Sequence, residues 1–571
     1  MKNTGYMHKV QSRSGKLTPK LEVTSENASL FLKAGATRVS ARGATVAASI
    51  QKRVMPDRNN QALMAKHRMD SLKRASPGLA RIEMADLMKG RTNGPGIPAY
   101  MLEKDFAKAD VTISLDSTIT SYLKQWTPNA RISIRRGSIM TPALPLRTRL
   151  RGLYGNFDGD KLSLDTLSVK CGTSDMVANG SVSGLRRALV SKGLLKADLN
   201  IKSKRINLNE IIAALQIAQQ NQIDTTTRGE EDESFVIDTL ADVVLDSTRM
   251  ALLVVPGNVD ASLKVRADEI NYTDILITPG IATVNMKDRV LQLADTRLVT
   301  NLGNIDLDAF YSTKTKKDIT AGADLRLSDV SAEGIIHMLP TVDSLMPALK
   351  SFQGKLSCDV TATTKLDTCM NILMPTVDGV VRIQGKDLRI DDAGDLRKIT
   401  RLLVFKDKNI GNIDDLYVNA VVHDNKLEVY PFILGVDRYQ LALYGVQGFD
   451  KTMNYQVSIL RSPFLIRFGI RMYGKLDDWH FGLTRAQYRN GTVPAFSQEL
   501  DSLQINLGTS IRNIYRQGIE GVQRYNRNSM DQLQRRKAEM NYDPEAPVEA
   551  LSEEESNKLQ SEMKEEEEQQ K

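Results

Sequence analysis

The sequence is poor in aromatic residues, histidine and cysteine, and it has no long hydrophobic run. Aromatic residues make up 5% of the 571 positions, so any core must consist mostly of aliphatic side chains. No stretch of about 18 uncharged apolar residues occurs, and residues 1–10 lack the apolar segment of a signal peptide. The chain as written is therefore expected to be soluble or peripheral to a membrane.

The scarcity of reactive side chains argues against an enzyme. The three cysteines, Cys171, Cys358 and Cys369, lack metal-ligand spacing, and an odd number does not suit a disulfide scaffold. A Cys358–Cys369 bridge is the less favoured alternative. The five histidines are scattered without an H-E-x-x-H motif, and neither a glycine-rich phosphate loop before a helix nor a G-x-S-x-G motif occurs. We predict no catalytic residue, no metal site and no cofactor.

The charge distribution does not indicate a nucleic-acid partner. A net charge of +8 is modest for this length, and an acidic C-terminal end offsets it locally. Basic residues gather between Lys52 and Arg81, where they would lie against anionic lipid headgroups or, as charge runs usually do, on a solvated helix face. Paired aspartates such as Asp477 and Asp478 are expected to accept backbone hydrogen bonds in turns rather than to bind calcium.

Apolar and polar residues alternate over most of the chain after residue 100, which is typical of strands with one dry face. Between Val259 and Asp268, five apolar residues alternate with five polar ones without an error. Turn residues separate such segments, as at Asp378-Gly379. The alternation predicts a mainly β protein.

Similar segments recur along the chain and indicate a repeated unit. Three segments that begin at Asp160, Asp288 and Asp424 each read as a turn followed by short strands. Short apolar helices are predicted at 210–215, 334–339 and 396–403, each following the end of a strand, the first with Asn209 as its N-cap. These helices are expected to cap a sheet.

The C-terminal region changes from a strand period to a helical one. Apolar residues from Leu500 to Tyr525 recur at steps of three and four, which predicts one amphipathic helix. This helix would lie on a membrane surface or dock on a sheet end, and the lack of Trp and Phe on its apolar side favours docking. After Tyr542 the Glu-, Gln- and Lys-rich composition predicts a disordered or loosely helical tail.

These patterns divide the chain into six parts. We predict an N-terminal β/helical segment with a basic helix over 1–99, a β-groove unit over 100–224, a linker over 225–234, a second β-groove region over 235–495, the amphipathic helix over 496–541 and an acidic disordered tail over 542–571.

Several of the strand segments resemble the AsmA family of envelope proteins, particularly its C-terminal region. The resemblance is carried by Gly354-Lys355-Leu356-Ser357, Val377-Asp378-Gly379-Val380-Val381-Arg382-Ile383, Lys426-Leu427-Glu428-Val429-Tyr430-Pro431-Phe432 and Leu441-Ala442-Leu443-Tyr444-Gly445. It covers residues 235–480 best and 100–220 more faintly. AsmA-like proteins normally begin with a membrane anchor, which this sequence lacks, so an inner-membrane anchor is expected only in a longer form.

The resemblance implies an elongated, strongly curved sheet whose apolar concave face forms a groove. Together with the residue patterns above, the expected fold is a mainly β chain: an antiparallel β-sheet groove of repeating units with short capping helices and a C-terminal amphipathic helix. It further implies a periplasmic protein of the cell envelope that moves phospholipid between the inner and outer membranes, without a nucleic-acid partner. The alternative is a structural or chaperone-like factor for the assembly of outer-membrane proteins, whose dry sheet edges receive partner strands.

The dry face of such a sheet can be kept from water in two ways. A second layer can cover it, as in a β-sandwich, or acyl chains can fill it. An empty groove that exposes on the order of 1,000 Å² of apolar surface to water would lack about 25 kcal/mol of stabilising free energy that burial of the same surface provides. The alternation by itself favours the sandwich, whereas the resemblance and the capping helices favour the lipid groove. The residues predicted to line the groove are Leu263, Val265, Leu356, Val360, Val418, Val422, Leu441 and Leu443.

Overall fold

The fold is taken from a computed structural model of the chain. It describes residues 3–11, 17–34, 37–52, 110, 117–141, 144–191, 193–224, 252–315, 318–338, 349, 352–390, 412–436, 439–462, 467–476, 478–488 and 492–569. Among the predicted features, the basic stretch after Lys52, the linker at 225–234 and the third capping helix at 396–403 lie outside these residues.

The described strands belong to one hydrogen-bonded sheet of 22 strands. They are β1 (Asn3–Gln11), β2 (Leu17–Ala34), β3 (Thr37–Lys52), β4 (Trp126–Thr141), β5 (Leu144–Asp158), β6 (Lys161–Cys171), β7 (Ser174–Ser183), β8 (Leu195–Asn207), β9 (Val259–Tyr272), β10 (Ile275–Lys287), β11 (Val290–Thr300), β12 (Asn304–Thr315), β13 (Asp318–Ser331), β14 (Phe352–Gln353), β15 (Lys355–Leu366), β16 (Asp378–Ile390), β17 (Asn412–His423), β18 (Lys426–Val436), β19 (Tyr439–Gly448), β20 (Thr452–Arg461), β21 (Phe468–Lys475) and β22 (Asp478–Arg485).

The described α-helices are few and stand mostly at strand ends and at the C-terminus. They are α1 (Ser117–Gln125), α2 (Leu185–Ser191), α3 (Leu208–Asp224), α4 (Ala332–Met338), α5 (Ser497–Arg512), α6 (Ile514–Glu539) and α7 (Glu553–Gln569). None of these helices is long and apolar enough to cross a membrane. The predicted fold class, a mainly β chain with a curved sheet and short helices, is confirmed.

The chain divides into two compact units. The first unit comprises residues 1–291 and 312–318, and the second comprises 292–311 and 319–571. The division falls near residue 291. Strands β8 and β9, which flank the predicted linker in sequence, pair directly with each other and lie in the same unit.

Strand pairing in the first unit is antiparallel with one exception. From β1 to β8 each strand pairs antiparallel with the next, and β9 pairs antiparallel with β10. The pair β8–β9 is parallel, in a sheet that was predicted to be antiparallel. A parallel pair needs a long crossover connection, and β8 ends at Asn207 while β9 begins at Val259, which leaves enough sequence for one.

The second unit contains a run of antiparallel neighbours. Strand β13 pairs with β15, and from β15 to β22 each strand pairs with the next. Two of the three repeated segments begin with matching turns: φ is 49° and 63° at Asp288 and Arg289 in the first unit, and 48° and 63° at Asp424 and Asn425 in the second. Two successive residues with positive φ are typical of the type I′ hairpin turn, whose twist matches that of the flanking strands.

Two of the predicted capping helices are present as α3 and α4. The Ser331 hydroxyl accepts the Gly334 N–H at the start of α4, at 3.0 Å. At the start of α3 the cap is Asn207, whose Oδ1 accepts the Glu210 N–H at 3.2 Å. The predicted cap, Asn209, instead accepts a hydrogen bond from the Thr273 N–H.

The amphipathic C-terminal region forms two helices where the sequence predicted one. They are separated at Asn513, and Gly518 has a non-helical φ of 68°, a conformation that glycine adopts without a Cβ penalty. Their apolar residues Leu500, Leu503 and Leu533 pack with Val380 and Val421 of the sheet. The helices thus dock on a sheet face rather than on a sheet end.

The acidic tail, for which the composition predicted a disordered or loosely helical segment, contains the helix α7. Ser552 and Glu555 form a capping box, in which each side chain accepts the other's backbone N–H, and α7 follows. Leu559 of α7 is fully buried in the main apolar cluster of the second unit, and Leu551 and Met563 pack against that cluster. A few apolar contacts are therefore enough to order an otherwise polar helix.

Candidate functional site: the apolar sheet faces

In the first unit a row of apolar or glycine positions crosses eight strands. Side chains of directly paired residues lie on the same side of a sheet, so the strand registers define the row. It consists of Val46, Ile132, Gly155, Leu164, Gly180, Leu199, Leu263 and Val284, from β3 to β10. The predicted residue Leu263 thus lies between Leu199 of β8 and Val284 of β10.

A second row runs beside the first and contains Val265. Val265 lies opposite Ile201 of β8 and Ala282 of β10. The complete row is Ala44, Ile134, Leu153, Leu167, Ala178, Ile201, Val265 and Ala282. Together the two rows form a continuous apolar band, which we call the first-unit band.

The first-unit band is only partly shielded from solvent at β8 and β9. Leu199, Ile201, Leu263 and Val265 are all partly exposed, while Lys264 on the other side of β9 is exposed. Gly180 interrupts the band because its φ of 137° disfavours any other residue and an added Cβ would lie 2.1 Å from the Asp198 carbonyl oxygen. An apolar ligand would cover surface that is now partly in water.

The other six predicted lining residues come together on one face of the second unit. Val360 lies opposite Leu325 and Val381, and Leu443 lies opposite Phe432 and Val457. All six belong to, or pack against, one apolar cluster. We call this surface the second-unit face.

The second-unit face is more completely buried than the first-unit band. The exposed fraction is 1% for Leu356, 6% for Leu441, 7% for Val422 and 8% for Val418. Val360 and Leu443 are partly buried against them. Leu356, Val418, Val422 and Leu441 are therefore core residues in this structure, whereas Leu263 and Val265 remain partly exposed.

A β-bulge keeps the second-unit face apolar across β18. The register with β19 shifts between Val429 and Phe432, so Val429 belongs to the main cluster and Phe432 packs against it although they are three positions apart. Tyr430 between them contributes to the cluster under α5 and α6 on the opposite face. Pro431 lies in the bulge, where a missing N–H is tolerated, and it was the only sequence signal for this irregularity.

The opposite face of the second unit carries ion pairs beneath α5 that the sequence did not predict. Arg512 Nε lies 2.7 Å from Asp308 Oδ2, and Arg512 Nη2 lies 3.3 Å from Asp324 Oδ2. Arg382 pairs with Asp501. The hydrogen bond to Asp308 raises the pKa of Arg512, while burial raises the pKa of Asp359 nearby. The partners are more than 100 residues apart in sequence, so no local pattern signals them.

No metal-binding group of three or more His, Cys, Asp or Glu occurs in the part of the chain that the structure describes. The three cysteines are unbridged. Burial raises the pKa of the Cys358 thiol to about 12, so this side chain packs as a small apolar group. The His423 Nδ1 lies 2.6 Å from Asp378 Oδ1, and this hydrogen bond raises the histidine's pKa.

Comparison with known proteins found no matching family model, no matching curated protein and no matching solved structure. The interpretation of the apolar surfaces therefore depends on their own residues.

Proposed function

We propose that this chain is a non-enzymatic, AsmA-type protein of the bacterial cell envelope that binds or conducts phospholipid acyl chains along an apolar sheet face, between the inner and outer membranes. The proposal depends on one observation above all. The first-unit band crosses β3 to β10 without a charged side chain, and it is partly exposed around Leu263.

The chemistry of the band suits a hydrocarbon ligand. Its side chains are aliphatic, so they offer dispersion contacts and no hydrogen bonds that would select a polar group. Covering each additional 100 Å² of this surface with an acyl chain gains about 2.5 kcal/mol. The phospholipid headgroup would remain in water at the margin of the sheet.

Because the second-unit face is buried, the proposed binding surface is limited to the first-unit band. Leu356, Val418, Val422 and Leu441 are packed already, so a ligand would have to displace protein contacts to reach them. Acyl chains are therefore proposed to bind at the first-unit band, with Leu263 and Val265 as direct contacts.

Lipid extraction and mass spectrometry of the purified full chain test the proposal. We expect the wild-type protein to carry phospholipid after gentle purification, and the variant Leu263→Arg to carry at least tenfold less. The matched control is Asp198→Arg, which places an arginine at an exposed position on the other side of the adjacent strand β8. Circular dichroism and thermal unfolding of both variants verify that they fold.

The possible outcomes separate the two function classes. Lipid retention in Leu263→Arg would contradict the assigned binding surface. A lipid-free wild-type protein that captures unfolded outer-membrane β-strands would refute the lipid proposal in favour of a chaperone-like assembly factor.

A further inference from the structure

A cavity in the second unit lies between α6 and the face of β13, β15 and β16 that is opposite the second-unit face. Its volume is about 340 Å³, within the range of small-molecule sites. The helix contributes Ile519, Val522, Asn526 and Met530, and the sheet contributes Thr320 and Thr363 among others. We call this space the α6 cavity.

Asn526 is the unusual residue of the α6 cavity. It is 6% exposed, and its side-chain Oδ1 is buried without a hydrogen-bond partner. A buried acceptor without a donor is costly, and the apolar neighbours Val522 and Met530 show that this helix side otherwise carries apolar residues towards the sheet. A ligand that donates a hydrogen bond from an N–H or O–H group to Asn526 Oδ1 would account for this buried acceptor.

The charged residues around the α6 cavity are balanced in sign. Lys365 and Arg527 provide positive charge, and Asp378 and Asp531 provide negative charge. His423, which bonds to Asp378, stands beside them. A ligand with both an ammonium group and an anionic group matches this set, because each of its charges has an opposite charge to face.

The cavity beneath α5 lacks the feature that indicates a ligand. It has a similar volume, about 310 Å³, but its arginines Arg382 and Arg512 already pair with Asp501, Asp308 and Asp324. Its charged groups therefore pair with one another, and these ion pairs hold α5 on the sheet.

We infer that the α6 cavity binds a small zwitterion, with its ammonium or hydroxyl donor on Asn526 Oδ1 and its anionic group near Lys365 and Arg527. This site is separate from the acyl-chain surface of the proposed function and does not depend on it. The apolar side chains of Ile519 and Val522 would contact the carbon atoms that link the two charged groups.

Titration of the full chain with phosphoethanolamine tests this inference, with ethanolamine and inorganic phosphate as single-charge probes. NMR or calorimetry should detect saturable phosphoethanolamine binding that is at least tenfold tighter than that of either probe. The variant Asn526→Leu should weaken it at least tenfold. The matched control Asn528→Leu alters an exposed residue two positions along the same helix and should leave it unchanged.

Three results would overturn the inference. They are the absence of phosphoethanolamine binding to the wild-type protein, equal binding to Asn526→Leu, and inorganic phosphate binding as tightly as the zwitterion. If Asn526→Leu fails to fold, Thr363→Val removes a hydroxyl from the opposite wall and serves as the second variant, with the same weakening expected.

Discussion

Lys537 of α6 forms an ion pair with Glu428 of β18, with Nζ 2.8 Å from Oε2, and both side chains are largely buried. Burial raises the pKa of Glu428, while Lys537 opposes this effect by stabilising the carboxylate. The pair therefore ties the helix to the sheet at a position where either charge alone would be unfavourable.

Replacing Lys537 with methionine should destabilise the protein by about 3 kcal/mol at pH 7, because Glu428 would stay buried without its cation. The carboxyl of Glu428 has an ordinary pKa of 4.5, and its pKa is raised in the folded state. Its contribution to stability is therefore fully present below pH 4.5 and is lost as the pH rises through the folded-state pKa. The variant should therefore approach wild-type stability below pH 4.5. Denaturant unfolding at pH 4 and pH 7 measures both effects.

Lys426→Met is the matched control for this prediction. Lys426 pairs with Glu545 near the same strand, but both side chains are about half exposed, so the cost should be about 0.5 kcal/mol. A loss at pH 7 that is equal for Lys537→Met and Lys426→Met would contradict the role of burial.

Truncation of predicted lining residues should separate the packed face from the accessible band. Leu441→Ala should cost about 3 kcal/mol in the free energy of unfolding, because it opens a cavity in the main apolar cluster. Leu263→Ala should cost about 1 kcal/mol, because this side chain is already partly in water. Denaturant titration of both variants measures the difference, and equal losses would mean that Leu263 is also a core residue.

The docking of α7 should depend on one side chain. Leu559→Ser removes the fully buried residue of this helix, so amide hydrogen exchange in residues 553–565 should accelerate at least tenfold. Lys558→Ser, at the exposed neighbouring position, serves as the control and should leave the exchange rates nearly unchanged. Unaltered protection in Leu559→Ser would show that other contacts order the helix.

The pKa of His423 should fall when Asp378 is replaced. The hydrogen bond to Asp378 is the main cause of the raised pKa, so Asp378→Asn should bring it back towards 6.5. Asp424→Asn, which alters a more exposed and more distant carboxylate, should lower it less. NMR titration of the histidine ring protons checks both, and an unchanged pKa in Asp378→Asn would reject the assigned partner.

The same hydrogen bond gives a pH dependence of defined sign. Because the folded-state pKa is raised, the stabilisation from His423 is present below pH 6.5 and is lost as pH rises through the folded value. Both side chains are about one-third exposed, so solvent screening keeps the effect small.

Without added ligand, Asn526→Leu should stabilise the protein by about 1 kcal/mol, because it removes a buried acceptor that has no donor. Thermal and denaturant unfolding provide the measurement, with Asn528→Leu expected to stay within about 0.5 kcal/mol of the wild type. Destabilisation by Asn526→Leu would indicate that the amide has a structural role.

Local patterns determined much of the β architecture. The alternation from Val259 to Asp268 identified β9 and the direction in which its side chains face, since successive strand residues point to opposite sides. The recurrence at Asp288 and Asp424 likewise marked two hairpin turns of the same type. Both features arise from the conformational preferences of a few adjacent residues.

Tertiary structure decided which apolar surfaces are packed. Leu263 and Leu441 look alike in sequence, yet the first stays partly accessible and the second is buried, because burial depends on strands and helices far away in the chain. The parallel β8–β9 pair, the helix α7 and the ion pair of Glu428 with Lys537 depend on long-range contacts in the same way. An alternating sequence specifies that a strand has a dry side, but only the folded chain determines what covers it.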